Sequence, residues 1–220
     1  MRLSLNSNLC IMNKRMILKL PYQHLKRYEE KPIGLCMSGG TDSSLLYYLL
    51  QEQQYWVVPI IFCHADRPSM VEPVYNVIIE VGKRFGFDRS TKPRVIYSPI
   101  KNTELLWNGV HEGNEDLLIT RGTTRNPPIN EMDGDQSDRA WELPEMDTWD
   151  GKEWKPFINM HKRDLALLYK EYSLDWLFEL TVSCIGHFEN TANFTKSCNQ
   201  CWWCAERHWA FGTTGQDWRI

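Results

Sequence analysis

The chain has 220 residues, 42% of them hydrophobic and 24% charged, enough for one large domain with a core of its own. Its 25 Lys and Arg against 28 Asp and Glu leave a formal charge of −3, with no excess of cations to draw in a polyanion, so nucleic acid is not the expected partner. No stretch approaches the roughly 20 apolar residues of a membrane span, and the amino terminus has no apolar core followed by a small-residue cleavage site, so a soluble, cytoplasmic protein with no membrane partner is expected.

Residues 1–30 mix charge with scattered apolar positions and read as a leading strand or helix laid over the core. The apolar run Ile33-Gly34-Leu35-Cys36-Met37 ends at Ser38-Gly39-Gly40-Thr41-Asp42-Ser43-Ser44, after which Leu45, Leu46, Leu49 and Leu50 recur at helical spacing. That order is strand, glycine loop, helix. Residues 56–62 read as a second buried strand, and Val74 to Phe85 as a helix with apolar positions at 74, 77, 78, 81 and 85. Arg94 to Tyr97 and Asp116 to Thr120 supply two more short strands.

Strands alternating with helices predict an α/β fold, a parallel sheet with helices on both faces, because each parallel connection must cross the sheet. Ligands of such sheets sit at the carboxyl ends of the strands. The Ser38 loop and the residues after Phe62 and Thr120 should therefore converge on one crevice. From Pro127 to Pro156 acidic residues dominate, with Trp141, Trp149 and Trp154 interleaved; neither period is present, so 127–156 reads as an irregular surface insertion, a solvated loop or a lid. Lys162 to Tyr172 regains helical spacing through Leu165, Leu168 and Tyr169 or Tyr172. No internal repeat is visible, and 1–220 is read as one domain.

A glycine-rich turn between a strand and a helix offers backbone N–H groups and the positive end of a helix dipole to a phosphate. Ser38, Ser43 and Ser44 add hydroxyls, while Asp42 is suited either to cap the helix or to hold a phosphate-bound Mg²⁺. An ordinary capped turn is the alternative.

Of seven cysteines, Cys10, Cys36 and Cys63 lie alone and read as small buried residues. Cys198, Cys201 and Cys204 stand at a spacing of three, with Cys184 upstream, and four thiolates suffice for a closed tetrahedral zinc site. An iron–sulfur cluster or a redox pair would use the same residues, and His187 or His208 could replace one thiol.

The hexapeptide Ser38 to Ser43 resembles the SGGxDS loop of the N-type ATP pyrophosphatases, which split ATP between the α and β phosphates and have no Walker-type lysine. Glu179-Leu180-Thr181-Val182-Ser183-Cys184, the run Ser197-Cys198 to Cys201, Cys204 and Arg207, and then Ala210-Phe211 are similar to the carboxyl-terminal zinc segment of the 7-cyano-7-deazaguanine synthase family. Pro156 to Leu168, with Lys162, looks like that family's proline- and lysine-bearing helix. The matches cover about residues 33–63 and 156–212. The family's central V-P-G-R-N segment has no counterpart, and of its G-x-N-x-x-D stretch the segment Thr120 to Asn126 retains a glycine and at most Asn126.

The resemblance implies a PP-loop ATPase domain of the adenine nucleotide alpha hydrolase-like, Rossmann-like kind, ending in a structural zinc knuckle over 184–212. It implies ATP as co-substrate with Mg²⁺, Ser38, Gly39, Gly40, Thr41, Asp42, Ser43 and Ser44 around the nucleotide, and Ser38, Asp42, Ser43 and Lys162 in the chemistry. The reaction implied is adenylation of a small heterocyclic carboxylate, 7-carboxy-7-deazaguanine, followed by attack of ammonia to give the amide or the nitrile, in deazapurine biosynthesis of the queuosine or DNA-modification type. A homodimer is compatible with it. Lys162, Arg121 and Arg125 are further phosphate contacts or solvated charges, Trp202 and Trp203 stack on a heterocycle or pack round the zinc, and Phe62, Cys63, His64 and Asp66 are expected around the adenine. Two other readings stay open: an RNA-thiolating or sulfonucleotide-reducing enzyme, and a non-enzymatic zinc- and nucleotide-binding module.

Overall fold

A computed structural model describes residues 9–12, 15–18, 32–64, 71–86, 92–98, 109–132, 145–184 and 197–212. Four strands, β3 (Ile33–Met37), β4 (Val57–His64), β5 (Arg94–Ser98) and β6 (Leu118–Arg121), form an all-parallel sheet in the order β5-β4-β3-β6. Their residues are apolar with little alternation, as strands buried on both faces require. Preceding them, β1 (Leu9–Met12) and β2 (Arg15–Leu18) make an antiparallel hairpin. It is the leading strand expected over the core: Met16 and Leu18 are buried, the Met16 N–H donates to the Tyr172 hydroxyl at 2.6 Å and the Leu18 N–H to Gln53 Oε1 at 3.0 Å.

From β3 the chain passes through α1 (Thr41–Glu52) to β4, and from β4 through α2 (Val71–Phe85) to β5, stepping in one direction along the sheet; β6 then lies on the far side of β3. Right-handed crossovers in one direction put both helices on one face. The reversal between β3 and β6 is the switch point at which a parallel sheet opens a crevice beyond its strand ends.

The side chains follow this geometry. Ile33, Leu35 and Met37 of β3 share a cluster with Leu45, Leu46, Leu49 and Leu50 of α1 and Val74, Val77, Ile78 and Val81 of α2. The same cluster takes in Leu165, Leu168 and Tyr169 of α3 (Lys162–Glu171) and Leu177 of α4 (Asp175–Leu180). Cys36, Val58, Ile60 and Ile119 face the other way and pack with Val110, from a helical turn at 109–112, and Leu117. Among the described residues the helices expected on both faces therefore gather mainly on one. Phe85, read as a core position, is 37% exposed and meets Tyr48 edge-on at 5.3 Å.

The insertion at 127–156 departs from the expected solvated loop at its end, while Trp141 lies outside the described residues. Trp154 is 1% exposed; its N–H donates to the Ile119 carbonyl at 2.9 Å, and its carbonyl accepts from the Arg121 N–H at 3.1 Å. Thr120 Oγ1 donates to the same carbonyl at 2.7 Å. This parallel bridge covers the edge of β6 and pairs backbone groups that an open sheet edge leaves exposed. The last helix, α5 (Trp202–Phe211), stops at Gly212, whose φ of 72° is the left-handed cap that glycine adopts without strain. No helix among the described residues is long and apolar enough to cross a membrane.

Candidate functional site

Met37 ends β3, and Ser38, Gly39 and Gly40 turn the chain into α1. Gly39 has a φ of +74°, and a Cβ on it would stand 3.2 Å from Val74 Cγ2, so the turn needs glycine there. Gly40 is the N-cap and makes no side-chain cap bond, leaving the first-turn N–H groups aimed beyond the helix end. Asp42 is thus not the cap that the sequence allowed; it lies inside the first turn and accepts a hydrogen bond from Thr41 Oγ1 at 2.8 Å. Ser43 Oγ accepts from the Ser38 N–H and lies 3.3 Å from Ser38 Oγ, so the two hydroxyls hold the loop in shape.

The loop opens into a cavity of about 320 Å³. Ser38, Gly40 and Thr41 to Ser43 form one side, Cys36, Met37 and Phe62 the strand ends, Arg121 to Thr123 the exit of β6, and Lys162, Val182 to Cys184 and Trp203 the remainder. The expected convergence of the Ser38 loop with the residues after Thr120 is present. Gly39 and Ser44 are not among the walls, and Ser44 is fully buried. Cys63 is buried away from the cavity and His64 closes β4, while Asp66 and His187 lie outside the described residues.

Lys162 and Arg125 are not solvated charges. Lys162 is 2% exposed, with Nζ 2.6 Å from Glu206 Oε2 and 3.4 Å from Asp42 Oδ1. Arg125 is buried and donates to Asn159 Oδ1 at 3.0 Å, outside the cavity walls. Arg121 lines the cavity with its Nε 2.8 Å from Glu153 Oε2, and the buried Glu153 also lies near His111 and Lys155. Burial pushes the Cys36 thiol well above the usual range; the Glu153 charge adds to this and Arg121 opposes it. Cys36 is a buried part of the wall whose thiol is held toward its neutral form.

Three residues of the site were not singled out from the sequence. Gly122 lets β6 exit across the start of α1. Ser183 follows Val182, whose N–H donates to the Gly39 carbonyl at 2.9 Å, and its Oγ is buried in the cavity wall with no hydrogen-bond partner among the described residues. Glu206 reaches the site because α5 packs on α3, which brings its carboxylate 2.6 Å from Lys162 Nζ. The neighbouring Arg207 ties α5 to the end of α4: buried, it donates to the carbonyls of Thr181 at 2.9 Å and Phe178 at 3.0 Å and stands 4.1 Å over the Phe178 ring. Burial lowers its pKa to about 10, still a cation at neutral pH.

Beside the cavity the sulfur atoms of Cys184, Cys198, Cys201 and Cys204 all lie within 4.8 Å of one another. Two of the separations are 3.9 Å (Cys198 to Cys204) and 3.5 Å (Cys201 to Cys204). A tetrahedral zinc with Zn–S of about 2.3 Å needs sulfurs about 3.8 Å apart, so the four fit one ion with little movement. N–H groups already point at the sulfurs, from Cys198 to Cys184 Sγ at 3.2 Å and from Cys201 to Cys198 Sγ at 3.3 Å. The Cys204 thiol is held far above its usual pKa by hydrogen bonding with Cys184 and Cys201 and by burial. Four thiols so crowded give up protons readily only to a cation. Among the described residues the group is made of cysteines alone; His208 is exposed on α5 and takes no part.

No protein-family model matches the chain, and no curated protein matches it.

Proposed function

We propose that the chain is an ATP-dependent carbon–nitrogen ligase of the PP-loop type, similar to the 7-cyano-7-deazaguanine synthases, that adenylates 7-carboxy-7-deazaguanine and aminates it with ammonia. One observation carries the reading: a glycine-capped helix start, free of any side-chain cap, opens at the sheet's switch point into a cavity whose buried cation, Lys162, lies 3.4 Å from Asp42. A triphosphate on the loop meets the first-turn N–H groups, Ser38 and Lys162, and Asp42 is the carboxylate that would hold a phosphate-bound Mg²⁺, which neutralises phosphate charge when bound.

The carboxylate oxygen of the heterocycle attacks the α phosphorus and the bond to pyrophosphate breaks, giving an acyl-adenylate. Ammonia adds to the acyl carbon, loses a proton and expels AMP, leaving the amide. A second ATP adenylates the amide oxygen, and loss of AMP and protons gives the nitrile. In each adenylation the loop and Lys162 act by positioning and by stabilising charge that grows on the pyrophosphate, commonly the largest contributions to such a rate. Phe62 and Trp203 give the cavity aromatic walls suited to a heterocycle. The four cysteines would hold a structural zinc, which closes the segment forming the Val182 to Cys184 wall. Thiols kept for a metal suit a reducing compartment such as the cytoplasm.

Thiolation of RNA would want an accessible thiol. Among the cysteines whose side chains are described, Cys36, Cys63, Cys184, Cys198 and Cys204 are buried and Cys201 half-buried, which favours the ligase.

The test is incubation of the purified protein with ATP, Mg²⁺, ammonium and 7-carboxy-7-deazaguanine, with products read by mass spectrometry. A nitrile with AMP and pyrophosphate is expected, and the amide alone would mean a single adenylation. ATP binding without conversion would move the substrate to another carboxylate. No ATP binding would overturn the reading.

A further inference from the structure

Glu206 is 0% exposed, and its carboxylate is the closer of the two that meet Lys162: 2.6 Å, against 3.4 Å for Asp42. A buried carboxylate loses its hydration at a cost of several kcal/mol, and an apolar pair of the same volume would pack α3 against α5 as well or better. Packing alone therefore does not account for Glu206. What it does is decide where the ammonium sits.

Lysine carries a compact charge on a flexible four-carbon stem, and with Asp42 as its sole strong partner it would close to full hydrogen-bond contact there. Drawn to Glu206, the Lys162 ammonium stays in the cavity wall, 5.9 Å over the Trp203 ring, and stops short of Asp42. Asp42 then keeps its charge for a metal-bound phosphate while Lys162 faces the phosphate itself. Trp203 and Glu206 both belong to α5, whose start is fixed by Cys201 and Cys204. We propose that Glu206 is a positioning residue that holds Lys162 off Asp42, so that the helix anchored by the cysteine cluster sets the charge at the phosphate loop. The inference rests on the nucleotide-binding reading above.

Calorimetric titration of ATP with Mg²⁺ into the zinc-loaded full chain tests it, with metal content measured on every sample. Glu206→Gln is expected to bind ATP about tenfold more weakly with zinc retained, since a hydrogen bond to a charged group is worth roughly that factor. In turnover the KM for ATP should rise while the KM for the carboxylate stays put. In a Lys162→Met background, Glu206→Gln should have no further effect on ATP affinity, because Glu206 acts through Lys162. Glu206→Asp, which keeps the charge and withdraws it by one methylene, should restore part of the affinity, and it decides the matter if Glu206→Gln fails to fold: weaker than native supports the proposal, native affinity overturns it. ATP affinity within twofold of native in Glu206→Gln, or an equal loss in the Lys162→Met background, overturns the inference alone. Failure of the unaltered protein to bind ATP overturns the functional reading and this inference with it.

Discussion

Gly122 passes so close to the first turn of α1 that a Cβ on it would stand 2.7 Å from both the carbonyl carbon and the carbonyl oxygen of Asp42. The obstructing atoms are backbone, so nothing flexible can give way, and an added methyl must push β6 or the glycine loop aside. Gly122→Ala is expected to lower stability by roughly 1–3 kcal/mol, the usual range for overpacking. It should also weaken ATP binding, because the displaced atoms belong to the loop. Urea denaturation followed by ATP titration checks both, and a variant unchanged in each would mean that the close approach is not needed.

The glycine loop was legible as strand, turn and helix because its signal is local: an apolar run, two glycines and a helical repeat lie within about twenty residues. The cysteines were legible for the same reason, their spacing being itself the geometry of the site. Trp154 was not, because it sits in a stretch without period and becomes core only once β6 presents an edge to cover. Glu206 and Lys162 lie 44 residues apart, and nothing near either shows that α3 and α5 pack with those faces together. Ser183 stood in plain view beside Cys184, but its placement depends on Val182 returning to Gly39, a contact that no periodicity encodes.

Ser183 separates binding from stability. Its buried Oγ has no hydrogen-bond partner among the described residues and lies in the cavity wall near Gly40. Deleting a hydroxyl that makes no bond removes a desolvation cost, whereas deleting one that meets the ligand loses about 1 kcal/mol. Ser183→Ala should therefore melt at or slightly above the native temperature while binding ATP roughly 3- to 10-fold more weakly. A lower melting temperature with native affinity would make Ser183 a structural residue.

Asp42 is expected to matter more in turnover than in folding. Its side chain accepts a bond from Thr41 and lies within reach of Lys162, so Asp42→Asn preserves shape and removes the charge. Pyrophosphate release should fall by about 100-fold or more, the scale seen when one preorganised electrostatic group is lost. A variant turning over at the native rate would sink the assignment of this loop.

Trp154→Ala should be among the most damaging changes in the insertion. The indole is buried in the main cluster, and its backbone supplies the bridge to β6, so the substitution leaves a large cavity beside a sheet edge. A loss of about 3–5 kcal/mol is expected, a large part of the total stability of a domain this size. Trp154→Phe should lose much less. Denaturant midpoints give the comparison; a native-like Trp154→Ala would return this segment to the surface.

Metal affinity should depend steeply on pH, and the sign follows from Cys204. Its pKa is raised by hydrogen bonding with Cys184 and Cys201 and by burial, so in the metal-free protein the thiol is protonated at neutral pH and zinc must expel that proton. Affinity is then greatest at high pH and is lost as pH falls, by about tenfold per pH unit for each proton released. Competition with a chromophoric chelator between about pH 6 and 8 measures the slope, and Cys201→Ser, which leaves three thiols, should fail to retain the ion against the same chelator. A slope near zero would mean that the thiols are already ionised before the metal arrives, which mutual repulsion of four thiolates within 4.8 Å without a cation opposes.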